Sequence, residues 1–115
     1  MTARVRAIRI YPVKGEPAVD LESADVGPEG VEGDRRKGAP VHLVSLQAVG
    51  AAEPPRANLI LDLADGNERT WVGQEIRVGE VRLSVVRSPS NCLGVYAEVV
   101  TPGRVNLGDA VEPRG

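Results

Sequence analysis

Glycine or proline interrupts this chain so often that residues 1–11 form its longest stretch without either. Glycine costs backbone entropy inside a helix, and proline removes an N–H and clashes with the preceding turn. With 13 glycines and 9 prolines among 115 residues, the chain is limited to short elements joined by many turns. Between the interruptions apolar residues recur with period two, the mark of half-buried strands. The expectation is an all-β, β-dominated domain, a small closed or partly closed barrel or a sandwich with at most one or two short helices. At this length it is one domain, residues 1–115.

In chain order, residues 4–11 predict a strand with Ile8 and Ile10 on one face, and residues 12–17 a loop that sets Lys14 beside Gly15. Residues 19–26 alternate as one strand, and Gly27, Pro28 and Gly30 end it. Residues 31–38 form a charged loop centred on Arg35, Arg36 and Lys37. Residues 41–46 predict a strand. Residues 47–53 are the one plausible helix, with Ser45 as N-cap and Pro54-Pro55 as its stop. Residues 56–63 are a strongly apolar strand, and Asp65-Gly66-Asn67 a turn. A hairpin across Gly79-Glu80 joins residues 74–78 to 81–86, with Ile76, Val78, Val81, Leu83 and Val85 in the core. Residues 94–100 are a strand. Thr101-Pro102-Gly103-Arg104 then predicts a type II turn, with glycine at positive φ and residues 105–107 pairing back. Gly108-Asp109 turns into a last strand, residues 110–112.

Composition excludes several functions. A net charge of −2 offers no global basic field for nucleic acid. No apolar run approaches the length that spans a membrane, and the arginine-containing start lacks the apolar region of a signal peptide. A single cysteine makes no internal disulfide, which fits a reducing, cytoplasmic setting. Phenylalanine is absent and only Trp71, Tyr11 and Tyr96 are aromatic, so the core is aliphatic and no large ring-lined cavity is expected.

Few residues can carry chemistry. Cys92 follows the polar segment Ser88-Pro89-Ser90-Asn91 and precedes a strand. Its thiolate would be a nucleophile or metal ligand, whereas a buried free cysteine acts as a small inert hydrophobe. Lys14-Gly15 and Gly33-Asp34-Arg35 are cations in glycine-containing loops, suited to an anion such as phosphate, although solvated charge clusters look the same. Neither is a P-loop. His42, the only histidine, lies between Val41 and Leu43 with no metal-ligand spacing around it, and reads as a satisfied structural residue.

Six segments in order resemble the MOSC domains, named for the C-terminus of molybdenum cofactor sulfurases. They are Ile10-Tyr11-Pro12-Val13-Lys14-Gly15, Gly30-Val31-Glu32-Gly33-Asp34-Arg35, Arg56-Ala57-Asn58-Leu59, the segment 73–79, Cys92, and Pro102-Gly103-Arg104-Val105-Asn106-Leu107-Gly108-Asp109. The resemblance covers nearly the whole chain and implies a MOSC-type β-barrel. It also implies Cys92 as the catalytic sulfur carrier, holding a persulfide or ligating molybdenum. Lys14, Arg35, Arg56 and Asn58 are implied as contacts for the molybdenum cofactor (molybdopterin) or another anionic small molecule. A sulfur donor such as a cysteine desulfurase is the implied partner, so the chain needs no pyridoxal phosphate of its own. A stand-alone minimal sulfurtransferase-type domain is the preferred expectation. The alternatives are an anion- or pterin-binding module without turnover and an interaction domain with a decayed site. Compared with many members, only Leu93 separates Cys92 from Gly94, and the stretch between Arg35 and Val41 is short.

Overall fold

A computed structural model of the chain describes residues 3–34, 41–49, 57–64, 67–89 and 93–114. The strands are β1 (Ala3–Ile10), β2 (Val19–Leu21), β3 (Ser23–Gly27), β4 (Gly30–Val31), β5 (Val41–Ser45), β6 (Leu59–Leu63), β7 (Glu75–Val78), β8 (Val81–Arg87), β9 (Val95–Thr101), β10 (Gly103–Asn106) and β11 (Ala110–Arg114). One helical turn, α1 (Leu46–Val49), follows β5, and a 3₁₀ turn spans Glu68–Trp71. The main sheet runs β11-β7-β8-β9-β5-β6-β1-β2, and β11 also pairs with β1, which closes a barrel. A three-stranded sheet, β10-β3-β4, lies beside it.

β1 shows how the closure works. One edge pairs with β6 from Ala3↔Leu63 to Ile8↔Leu59. The other edge is shared, with Ala3 and Arg4 opposite β11 and residues 8–10 opposite β2. A register shift between Val5 and Ala7 changes the phase of the strand. An extra residue in a ladder turns every later side chain to the opposite face. Hence Ala3 and Val5 are buried before the shift and Ile8 and Ile10 after it, all in one core. Ala7 packs instead on the outer cluster of Val44, Val49, Ala57 and Ile60.

The β5–β6 pair is parallel. Parallel neighbours need a crossover rather than a tight turn. α1 begins that crossover and lays Val49 over Val44 and Ile60, so β5 is buried on both faces. Ser45 Oγ accepts from Ala48 N–H at 3.0 Å, the N-cap expected from the sequence. The rest of the expected helix, residues 50–53, lies outside the described residues, as do Asp65 and Gly66 of the expected turn.

Leu43, Leu59, Leu61, Ile76, Val78, Val81, Leu83 and Val85 fill the barrel, so the core candidates read from the β7–β8 hairpin all lie inside it. Each such side chain contributes roughly 1.5–3 kcal/mol by leaving water. Trp71, on the 3₁₀ turn, is 5% exposed and joins the same core.

Two expectations need correction. Residues 19–26 are two strands, β2 on the barrel and β3 on the small sheet, divided at Glu22. The apolar phase shows it, because Val19 and Leu21 fall on odd positions and Ala24 and Val26 on even ones. Residues 101–104 do not fold β10 back onto β9, and Gly103 does not take positive φ. β10 instead pairs with β3, from Gly103↔Val26 to Asn106↔Ser23. Gly103 serves close approach: a Cβ there would sit 2.8 Å from Glu80 Cβ. Arg104 secures the new pairing through Asp25 and Ser23 Oγ, at 2.9 and 2.7 Å.

Candidate functional site

Of the residues singled out above, Lys14, His42 and Asn58 lie among the described residues. Lys14 and Gly15 are the central pair of a tight turn closed by Glu16 N–H donating to the Val13 carbonyl at 3.2 Å. Gly15 has φ 80°, which the third position of a type II turn requires. The turn presents Lys14 to solvent, without an ion-pair partner among the described residues.

The loop that leads to Arg35 is tied to the end of β1. Tyr11 N–H donates to Asp34 Oδ1 at 2.7 Å, joining the end of β1 to residue 34. A cleft of about 530 Å³ opens beside this junction, lined by residues 27–34. Its described polar side chains are acidic, namely Glu29, Glu32 and Asp34. That sign opposes the expected phosphate contact, so an anion would need the cations that follow Asp34 in sequence. Arg35 itself lies outside the described residues, as do Arg56 and Cys92.

Asn58 is 7% exposed and holds the next link. Its Oδ1 accepts from His42 N–H at 3.2 Å, and its Nδ2 donates to the Arg9 carbonyl at 3.3 Å. Its backbone N–H donates to the His42 carbonyl at 2.9 Å, and its carbonyl accepts from Arg9 N–H at 2.8 Å. Both ends of the side chain thus bond backbone, tying β1, β6 and β5 together.

His42 continues the path. It is 6% exposed. Its Nε2 stands 2.7 Å from the Leu93 carbonyl oxygen. A carbonyl only accepts, so Nε2 carries a proton. The imidazole also meets the Tyr96 ring, with centroids 4.8 Å apart and planes at 57°. The Arg87 guanidinium carbon lies 4.5 Å from the Tyr96 centroid. The sequence marked His42 as structural, and its buried, bonded ring fits that. What it did not reveal is the partner, the Leu93 carbonyl 51 residues away.

Gly94 makes this contact possible. It has φ 89°, and a Cβ built on it would lie 2.2 Å from the Leu43 carbonyl oxygen and 3.0 Å from His42 Nε2. The chain can therefore pass against β5 only with no side chain at residue 94. The described sequence neighbours of Arg35, Arg56 and Cys92 are Asp34, Ala57 and Leu93. Asp34, Asn58 and Leu93 are linked through Tyr11, Arg9 and His42 by the bonds above. Among the described residues no group of His, Cys, Asp and Glu has the arrangement to hold a metal ion. Among them also, no helix is long and apolar enough to cross a membrane.

Neither a family model nor a curated protein matches the chain. Solved structures do. The chain is similar to the YUAD protein from Bacillus subtilis, with TM-score 0.78 and 16% identity over 98% of this chain and 96% of that one. It is also similar to a hypothetical protein, with TM-score 0.74 and 17% identity over 97% of this chain. It spans 66% of that second chain. At such identities the likeness establishes the fold alone.

Proposed function

We propose that the chain is a MOSC-type sulfur carrier in which Cys92 takes up a sulfur atom as a persulfide. The observation that carries the proposal is the set of hydrogen bonds that joins Asp34 to Tyr11, Arg9 to Asn58, Asn58 to His42 and His42 to Leu93. It supports a shared locus for the segments that bear Lys14, Arg35, Arg56 and Cys92. In uptake, the Cys92 thiolate attacks the outer sulfur of a donor persulfide. The donor S–S bond breaks, the donor leaves as a thiolate, and Cys92 keeps the sulfur as a persulfide. A nucleophilic acceptor then takes that outer sulfur and returns the Cys92 thiolate. Lys14 and Arg35 would hold an anionic acceptor, for which the molybdenum cofactor is the candidate, and Asn58 would set the strands. A cysteine desulfurase is the candidate donor.

The test is direct. Incubation with a persulfide donor should add one sulfur to the intact mass, and Cys92→Ser should abolish the gain without unfolding the domain. A thiol that reacts with iodoacetamide only after denaturation would defeat the proposal and leave an anion-binding module as the better description. Retained binding of a phosphate probe by the parent, lost in Lys14→Ala and Arg35→Ala, would then identify that module.

A further inference from the structure

We propose that the outer face of the β7–β8 hairpin binds a phosphate group between Arg77 and Arg82, at a site independent of the sulfur-carrier proposal. The strand register carries the inference. Where two charged residues stand directly opposite each other in the described strands, their signs differ at every position but one. Arg4 faces Asp62, Arg9 faces Asp20 and Arg104 faces Asp25. The last two are ion pairs of 2.8 and 2.9 Å. The exception is Arg77↔Arg82, one step in from the Val78↔Val81 pair that flanks the Gly79-Glu80 turn. Like charges placed so, with Cβ atoms only about 4.5–5.5 Å apart, destabilise a sheet.

Both side chains are exposed, and among the described residues neither forms an ion pair. Glu112 faces Arg77 from β11 without closing one. Glu75 and Glu98 lie in the next outward-facing row, on either side of Ser84. Glu80 is engaged elsewhere, its Oε1 accepting from Arg104 N–H at 3.1 Å. Arg77 Nε donates to the Gly79 carbonyl at 3.3 Å, which orients the guanidinium and leaves its terminal N–H groups without a described partner. Thr101, exposed and opposite Arg82 on β9, adds a hydroxyl to the same row. Two guanidinium forks and a hydroxyl in one row match a phosphate group, which carries about −1.5 to −2 charge at neutral pH and accepts charge-assisted bonds on several oxygens. A carboxylate, with a single charge, serves a single fork. The row lies at the barrel end where β1 begins, since Gly79 N–H donates to the carbonyl of Ala110, the partner of Arg4. Lys14 follows the other end of β1.

Site-resolved NMR of the full chain is the test. Backbone and arginine Nε–H signals are followed while inorganic phosphate or phenyl phosphate is added, with chloride at matched ionic strength as the control. Saturable shifts at Arg77 and Arg82 with phosphate and none with chloride are expected. Arg77→Gln or Arg82→Gln should weaken that binding about tenfold, and Lys14→Ala should leave it within about twofold. Tighter binding of phenyl phosphate marks a phosphate carried on an organic molecule, and equal binding marks the free ion. Shifts that never saturate, or that chloride reproduces, mean an adventitious ion only and refute the proposal. So does phosphate binding lost in Lys14→Ala but kept in both arginine variants. Thermal unfolding in chloride gives a second check, because Arg82→Gln removes the repulsion and should hold or raise the midpoint. A fall of more than about 4 °C would show that the pair supports the fold, contrary to the proposal. The double variant Arg77→Gln/Arg82→Gln removes this site, so it is the chain in which phosphate at the Lys14 turn is measured alone.

Discussion

Replacing Gly94 by alanine should destabilise the domain far more than an average surface change. Two costs add. An L-residue held at the φ of 89° seen here is strained by about 1–3 kcal/mol. The new methyl would also lie 2.2 Å from the Leu43 carbonyl oxygen, a backbone atom of a strand paired on both edges. Relieving that overlap means moving β5 or the Leu93 turn, and overpacking of this kind typically costs about 1–3 kcal/mol. Together they predict a loss of about 2–6 kcal/mol. Urea unfolding followed by Trp71 fluorescence is the assay, since Trp71 is the only tryptophan and is buried in the barrel core. With a slope of about 2 kcal/mol per M, the midpoint should fall by about 1–3 M. Gly27→Ala is the control: Gly27 has no positive φ and no neighbouring atom would lie within 4 Å of an added Cβ, so its change should stay within about 0.5 kcal/mol. If Gly94→Ala also stayed within about 0.5 kcal/mol, the tight passage of the chain against Leu43 and His42 would be wrong.

Three further outcomes are expected. Glu68 is 2% exposed and accepts from Ser45 N–H at 2.7 Å and from Ser45 Oγ–H at 3.0 Å. Glu68→Ala removes the acceptor of both bonds and should cost about 1–3 kcal/mol by the same unfolding assay, with Glu68→Gln less harmful. Leu83→Ala, at the centre of β8, opens a cavity in the barrel and should cost about 2–5 kcal/mol without altering the β-type circular dichroism spectrum. Lys14→Ala, on an exposed turn, should leave stability within about 0.5 kcal/mol while weakening phosphate-probe binding roughly tenfold in titration calorimetry.

The β class of this protein is written in its local sequence. Period-two runs bounded by glycine and proline predict β1, β5, β6, the β7–β8 hairpin and β9, because side-chain alternation and turn chemistry act over a few residues. Ser45 could be identified as a helix cap for the same reason. The split of residues 19–26 was also legible in principle, since the apolar phase flips between Leu21 and Ala24.

What pairs with what was decided only by the tertiary structure. Nothing local distinguishes a β10 that folds back on β9 from one that crosses to β3; the choice depends on Glu80 packing against Gly103 and on Arg104 reaching Asp25 and Ser23. The parallel β5–β6 pair, with its crossover through α1, is likewise a long-range outcome. So is the candidate site. Cys92, Lys14 and Arg35 could be named from their chemistry, yet the backbone partners of Asn58 and His42 could not be read from the sequence. Their hydrogen bonds link Arg9, His42, Asn58 and Leu93, residues brought together by barrel closure over separations that no local periodicity encodes.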